Sequence, residues 1–182
     1  MYQEPKHIVS SYNENNIGQT IYDVVRKLKP KKVIEFGSLY GYSTVCIGQA
    51  LRANGSGHLI SYDIYDEYEY KNADREVVQS AIDLYGLQDW VSLEYEDYYN
   101  FINNNNTDWD LAHIDISNTG DTLAPFIRKF NDKSIIFEGG SPERDNNDWM
   151  TKYDTKPIKF IQNLFGYQIL NSDYPSLSGR NI

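Results

Sequence analysis

The stretch "VIEFGSLYGYST" (residues 33–44) runs from an apolar, strand-like segment straight into Gly37, with Gly41 four positions later and Tyr42-Ser43-Thr44 beyond. It sets a carboxylate, Glu35, inside what otherwise reads as a buried strand, "KVIEF" (32–36). Gly37 and Gly41 bracket a tight strand-to-helix turn, the kind of turn in which backbone approaches a ligand closely. The spacing is neither the G-x-G-x-x-G of dinucleotide sites nor a phosphate loop with its Lys-Ser/Thr. Those motifs set a pyrophosphate on a helix N-terminus. Here Glu35 and the acids around it would repel phosphate, so the turn suits a ligand that offers a ribose and no phosphate.

Working outward, helical and strand periods alternate. Ile17, Ile21, Val24, Val25 and Leu28 recur at helical spacing and stop at Lys29-Pro30. A helix over 42–54 ends at Asn54-Gly55, and "HLISYD" (58–63) reads as the second strand. "ADREVVQSAIDLYG" (73–86) reads as a helix with Val77, Val78, Ala81, Ile82 and Leu84 inward. "WVSLEY" (90–95), "WDLAHIDI" (109–116) and "KSIIFE" (133–138) supply three more strands. Helices begin at "DYYNFI" and at "DTLAPFIRKF", where Pro125 is tolerated near the start. A helix around 156–165 and two short strands near 167–172 and 178–182 finish the chain. Alternation of this kind predicts an α/β fold with three layers: a Rossmann-like, mostly parallel sheet of seven strands covered by helices on both faces.

The length of 182 residues predicts a single domain over 1–182, led by a helical segment over 1–30. The Asn run 103–106 reads as a surface loop. Residues 139–156, "GGSPERDNNDWMTKYDTK", form a polar stretch longer than the roughly 12 to 15 residues that ordinary loops reach, and so read as a loop at the rim of the site.

In an open parallel sheet, ligands bind outside the carboxyl ends of the strands, where strand order reverses. Acidic residues cluster at those ends: Glu35 in the first strand, Asp63 after the second, Glu96 and Asp97 after the third, Asp115 after the fourth and Glu138 at the fifth. Asp63 lies where it can accept ribose hydroxyls. Singly, each acid reads as a helix cap; together they mark a site.

These residues resemble a family. "VIEFGSLYGYSTV", taken with Asp63 and "HIDI", is similar to the first motifs of class I S-adenosylmethionine-dependent methyltransferases, in the E-x-G-x-x-x-G-x-S/T form of catechol-type and sugar- or antibiotic-tailoring O-methyltransferases. The resemblance covers about residues 17–140 and implies the methyltransferase variant of the fold, with S-adenosylmethionine as cofactor and S-adenosylhomocysteine as product. It implies that Glu35 holds the methionine amino group, directly or through water. Gly37, Ser38, Gly41 and Ser43 would line the methionine and ribose, Asp63 would take the ribose hydroxyls, and Ile64 would pack on adenine. Glu96 or Asp97 would face the adenine amino group, with Asp115 beside the methionine and the acceptor.

The pattern also departs from the family. Catechol-type enzymes carry Asp-x-x-Lys and Asp-Asn at the fourth and fifth strand ends, where they bind a divalent cation. Here the stretches are "DISN" and "EGG", so Asn118 and Gly139 replace Lys (or His) and Asn. Asp115 and Glu138 remain as two oxygen donors suited to Mg²⁺ or Ca²⁺, but such pairs are more often structural, and no metal site is assigned. The candidates for catalysis are Asp115, Glu138 and His113, the last two residues before Asp115 on the same strand face; a packed structural histidine is the simpler reading. Glu143, Arg144, Asp145 and Tyr153 in the polar stretch are further candidates for a base, and Trp149 either covers the acceptor or anchors its loop. A cover over the acceptor must come from residues 1–16, from 139–156, or from another subunit.

Composition narrows the partners. A net charge of −9 argues against a nucleic-acid backbone and favours a small molecule. A lone cysteine, Cys46, permits no internal disulfide and suits a reducing, cytoplasmic setting. No apolar run approaches the roughly 20 residues of a membrane span, and the first residues lack the pattern of a secretory leader. A homodimer is left open. The resemblance implies O-methylation of a sugar or polyol-like acceptor. The alternative is a non-catalytic protein that keeps the fold and cofactor site as a binding module.

Overall fold

The structure, a computed structural model, describes residues 1–67, 73–104 and 108–182. Part of the tyrosine-rich segment after Asp63 (68–72) and part of the Asn run (105–107) lie outside the described residues.

Seven strands form one sheet in the order β3-β2-β1-β4-β5-β7-β6. They are β1 (Lys32–Phe36), β2 (His58–Asp63), β3 (Val91–Tyr95), β4 (Leu111–Ile114), β5 (Ser134–Glu138), β6 (Gln168–Asn171) and β7 (Leu177–Arg180). The first five pair in parallel, as the alternation of periods predicts. β7 inserts antiparallel between β5 and β6. Strand order reverses at β1, whose neighbours are β2 and β4.

Helices α1 (Ile17–Leu28), α2 (Tyr42–Asn54) and α3 (Arg75–Leu84) cover one face. The helices α4 (Tyr98–Asn104), α5 (Gly120–Lys129) and α8 (Lys159–Phe165) cover the other, over an aromatic core of Phe36, Phe101, Trp109 and Phe126. α2 is buried along its whole first ten residues because it lies between α1 and the sheet, so its sequence shows little amphipathic contrast. α1 ends where Lys29 takes a left-handed conformation (φ 49°) just before Pro30. Among the described residues no helix is long and apolar enough to cross a membrane.

Three expectations are corrected. In α3 only Val78, Ala81 and Ile82 turn inward, while Val77 and Leu84 are 44% and 68% exposed. They lie seven residues apart, on one outer stripe of a helix that leans on the narrow edge of the sheet. Pro125 falls inside α5 rather than in its first turn. Residues 139–156 are not an open loop either: they fold into α6 (Pro142–Asp145) and α7 (Asp148–Lys152), with Ser141, Arg144 and Met150 buried.

Candidate active site

The parallel register builds the site in rows. Glu35 stands level with Ser61 on β2 and with His113 on β4. All three side chains leave the same sheet face, under the start of α2. Glu35 accepts from Ser43 Oγ (2.7 Å), Thr44 Oγ1 (2.6 Å) and Ser61 Oγ (2.6 Å), and His113 Nδ1 donates to it at 3.0 Å. Burial would push its carboxyl up, but the bonds from His113, Ser61 and Thr44 outweigh burial and hold it below the usual range. Two residues further along the strands, the next row brings Gly37, Asp63, Asp115 and Glu138 to the carboxyl ends.

Gly37 (φ 88°) passes so close to β4 that an added Cβ would overlap the carbonyl oxygen of Asp115, which explains a glycine at this point. Beyond it, Asp63 fastens the turn: Oδ2 accepts from Ser38 N (2.7 Å), Ser38 Oγ (2.9 Å) and Leu39 N (3.2 Å), and Oδ1 from Tyr65 N (3.0 Å). Gly41 (φ 86°) starts α2 and packs its back on Val78 of α3.

A cavity of about 470 Å³ opens over these strand ends, a size typical of small-molecule sites. Of the site residues named from the sequence, Gly37, Ser38, Ser43, Asp63, Ile64, Glu96, Asp97 and Asp115 line it. Aromatic rings complete the wall: Phe36, Tyr62 and Tyr98 pack together at ring separations of 5.4 Å and 5.2 Å from Phe36. Asp97 also accepts from Asn100 N (2.9 Å), so one of its oxygens caps α4.

Four expected site residues lie outside the cavity lining: Glu35, Gly41, His113 and Glu138. Glu35 and His113 Nδ1 pair beneath it, while His113 Nε2 has no partner among the described residues. Glu138 turns to Arg144 of α6, which grips it with one edge of the guanidinium, Nε donating to Oε1 (2.6 Å) and Nη2 to Oε2 (3.1 Å). That fork is the geometry a buried carboxylate needs, and it draws the polar stretch down into the fold. Arg144 in turn lies 4.9 Å over the Trp149 ring, so Trp149 anchors rather than covers. No residue of 139–156 lines the cavity, which corrects the expectation of a rim loop. Asn118, in the place of the family's lysine, donates to Ile114 O (2.8 Å) and Glu138 O (3.0 Å) and ties β4 to β5. With Glu138 committed to Arg144, Asp115 loses its partner donor for a cation. Among the described residues no group of three or more His, Cys, Asp or Glu is placed to hold a metal ion.

Of the segments expected to supply a cover, the N-terminal one borders the cavity. Val9, Ser10, Ser11 and Tyr12 line the cavity, and Tyr12 donates its hydroxyl to Asp115 Oδ2 at 2.6 Å. The segment before it is strapped to α2 by reciprocal bonds between Gln3 and Gln49 (2.8 Å each) and by Glu4, which accepts from Tyr2 and Tyr42. No motif in the sequence marks Tyr12.

Burial and the nearby Asp115 charge push the Glu138 carboxyl up to about 7, although the Arg144 bond opposes them. Because the folded value lies above the ordinary 4.5, the fold holds a proton there that the unfolded chain has released. This contribution is full below about pH 4.5 and is lost as pH rises through about 7, a change on the order of 3 kcal/mol. Thermal unfolding followed from pH 5 to 8 is expected to show falling stability, with a flatter slope in Glu138→Gln; parallel slopes would show that Glu138 does not titrate in this range.

A family model described as a methyltransferase domain matches residues 34–134, more than half of the chain. The chain belongs to this methyltransferase family. Among solved structures it is similar to the S-adenosylhomocysteine-bound methyltransferase PaMTH1 of Podospora anserina (TM-score 0.64, 17% identity, 95% of this chain and 79% of that one). It is also similar to an O-methyltransferase of Bacillus cereus in complex with S-adenosylhomocysteine (0.63, 17%, 97% and 83%). A third is TomG of Streptomyces achromogenes, an O-methyltransferase of tomaymycin synthesis in complex with S-adenosylmethionine (0.55, 14%, 72% and 57%). At these identities the likeness establishes the fold. The chain spans only 58%, 57% and 59% of the length of three such structures. No curated protein matches the sequence.

Proposed function

We propose that the chain is an S-adenosylmethionine-dependent O-methyltransferase acting on a small molecule. The observation that carries this reading is the cavity at the strand-order reversal, lined by the glycine turn, Asp63 and Asp115. The residues present suit the cofactor. Its sulfonium and ammonium are cationic, and Asp115, Asp63, Glu96 and Asp97 give the cavity a negative field. Asp63 Oδ1 accepts from Tyr65 N among the described residues, and a carboxylate oxygen has capacity for a second donor such as a ribose hydroxyl. Ile64, Tyr62 and Tyr98 offer apolar and aromatic surface for adenine, with Glu96 and Asp97 beside them. Glu35 acts indirectly, by fixing Ser43 and Thr44 at the start of α2.

When bound, the cofactor supplies a methyl group already activated on sulfur. The chain's own task is alignment and exclusion of water. Tyr12 and its neighbours close the cavity on one side, and Asp115 is the acid that lines it next to them. Asp115 is the residue we assign to take the acceptor's hydroxyl proton, a reading supported by its place in the cavity lining. The ring of tyrosines with Ser10, Ser11, Ser117 and Thr122 suits a sugar or polyol-like acceptor, whose C–H faces pack on rings while its hydroxyls pair with polar groups. Small hydroxylated acceptors incubated with methyl-labelled S-adenosylmethionine should acquire label. Cofactor binding without labelling of any of them would overturn the catalytic reading in favour of a binding module.

Asp63→Ala removes the acceptor for four donors of the turn and one ribose contact. S-adenosylhomocysteine affinity is expected to fall at least about tenfold, with some loss of thermal stability. Unchanged affinity in a calorimetric titration would remove Asp63 from the cofactor site.

A further inference from the structure

We propose that Tyr12 is a positioning residue for the cofactor's cationic end: its hydroxyl holds Asp115 Oδ2, so that the carboxylate stays ionised with its other oxygen presented to the cavity. The proposal rests on the cofactor reading above.

Tyr12 is 1% exposed and reaches its partner from the segment preceding α1, across 103 residues of sequence. Its ring is fixed edge-on against Tyr42 (5.8 Å), a residue of the same cavity. Among the described residues the hydroxyl's partner is Asp115 Oδ2, and a 2.6 Å bond to a carboxylate is the short, charge-assisted kind. Burial and the neighbouring acids, Asp115 foremost, push the Tyr12 phenol well above its ordinary range, so it stays protonated and donates. It is therefore no base.

Asp115 faces titratable groups on every side: Tyr12 on the N-terminal segment, His113 on its own strand, Glu35 on β1, Glu138 on β5 and Arg144 on α6. Burial, the largest effect, holds the Asp115 carboxyl above its ordinary range and Glu35 adds to that; His113, the Tyr12 bond and Arg144 oppose the rise, so losing the Tyr12 bond should raise it further. Arg144 is already bound to Glu138 and His113 to Glu35. Tyr12 is thus the donor bonded to Asp115 in this structure, and the one whose hydroxyl can be removed while the ring stays.

The test is calorimetric titration of S-adenosylmethionine into wild type, Tyr12→Phe, Asp115→Asn and the double variant from pH 5.5 to 8.5. In wild type, affinity should weaken toward acid as Asp115 takes a proton. Tyr12→Phe should move that midpoint toward higher pH by about one unit, hence about a fivefold affinity loss at the wild-type midpoint, approaching about tenfold below it, and little at pH 8.5. In the Asp115→Asn background the same change should cost nothing more. A uniform loss at every pH, or an equal loss without Asp115, would mark Tyr12 as packing only and overturn the proposal. Failure of wild type to bind at any pH would instead overturn the cofactor reading itself.

Discussion

Glu35→Ala is expected to lower the unfolding free energy by about 3 to 5 kcal/mol, because it removes the acceptor on which four buried donors converge and leaves them unmet, each at about 1 to 3 kcal/mol. The side chain is 0% exposed and takes bonds from Ser43, Thr44, Ser61 and His113. Removing it strands Thr44, Ser61 and His113 between α2 and the sheet, and Ser43 where the cavity begins. Glu35→Gln keeps the shape and some bonds and should lose less. Urea unfolding of both variants measures the difference. A loss below about 1 kcal/mol for the alanine would mean that the row is solvated or easily rearranged.

Arg144→Met is expected to cost a similar amount, about 3 to 5 kcal/mol at pH 8, by leaving Glu138 buried without its cation. The methionine fills the volume of the arginine stem but supplies no donor for Glu138, which is 6% exposed. The cost should shrink toward pH 5, where Glu138 takes up a proton. Pairing the change with Glu138→Leu should recover much of the stability at pH 8, since an apolar pair can replace a buried ion pair. A pH-independent loss would place the effect in the Arg144–Trp149 stack or in the bonds to Asn118 and Met150 instead.

What the sequence shows and what it hides follow from different physics. Strands at 32–36 and 58–63 and the helix at 42–54 are legible because glycine, proline and short apolar runs bound them. The acidic strand ends are legible because topology alone sends them to one edge of the sheet. Their orientation is not. Whether Glu35 faces a ligand or Ser61 and His113 depends on cross-strand register, which no local pattern carries. The polar run 139–156 looks like a free loop because the bond that folds it, Arg144 to Glu138, joins two side chains that read as separate candidates for the site, with nothing in the local pattern to pair them. Tyr12 lies in a segment without periodicity or motif, and only its approach to Asp115 from 103 residues away marks it.

The central claim is that the cavity over Gly37, Asp63 and Asp115 is an adenosyl-methionine site. Calorimetric titration with S-adenosylmethionine, S-adenosylhomocysteine and, as a control, NAD, each with and without Mg²⁺, tests it most directly. The account predicts binding of both adenosyl ligands, on the order of micromolar or tighter, no binding of NAD, and no gain from Mg²⁺. Absence of binding by either adenosyl ligand would contradict it and leave the chain with the fold of its family but not the cofactor.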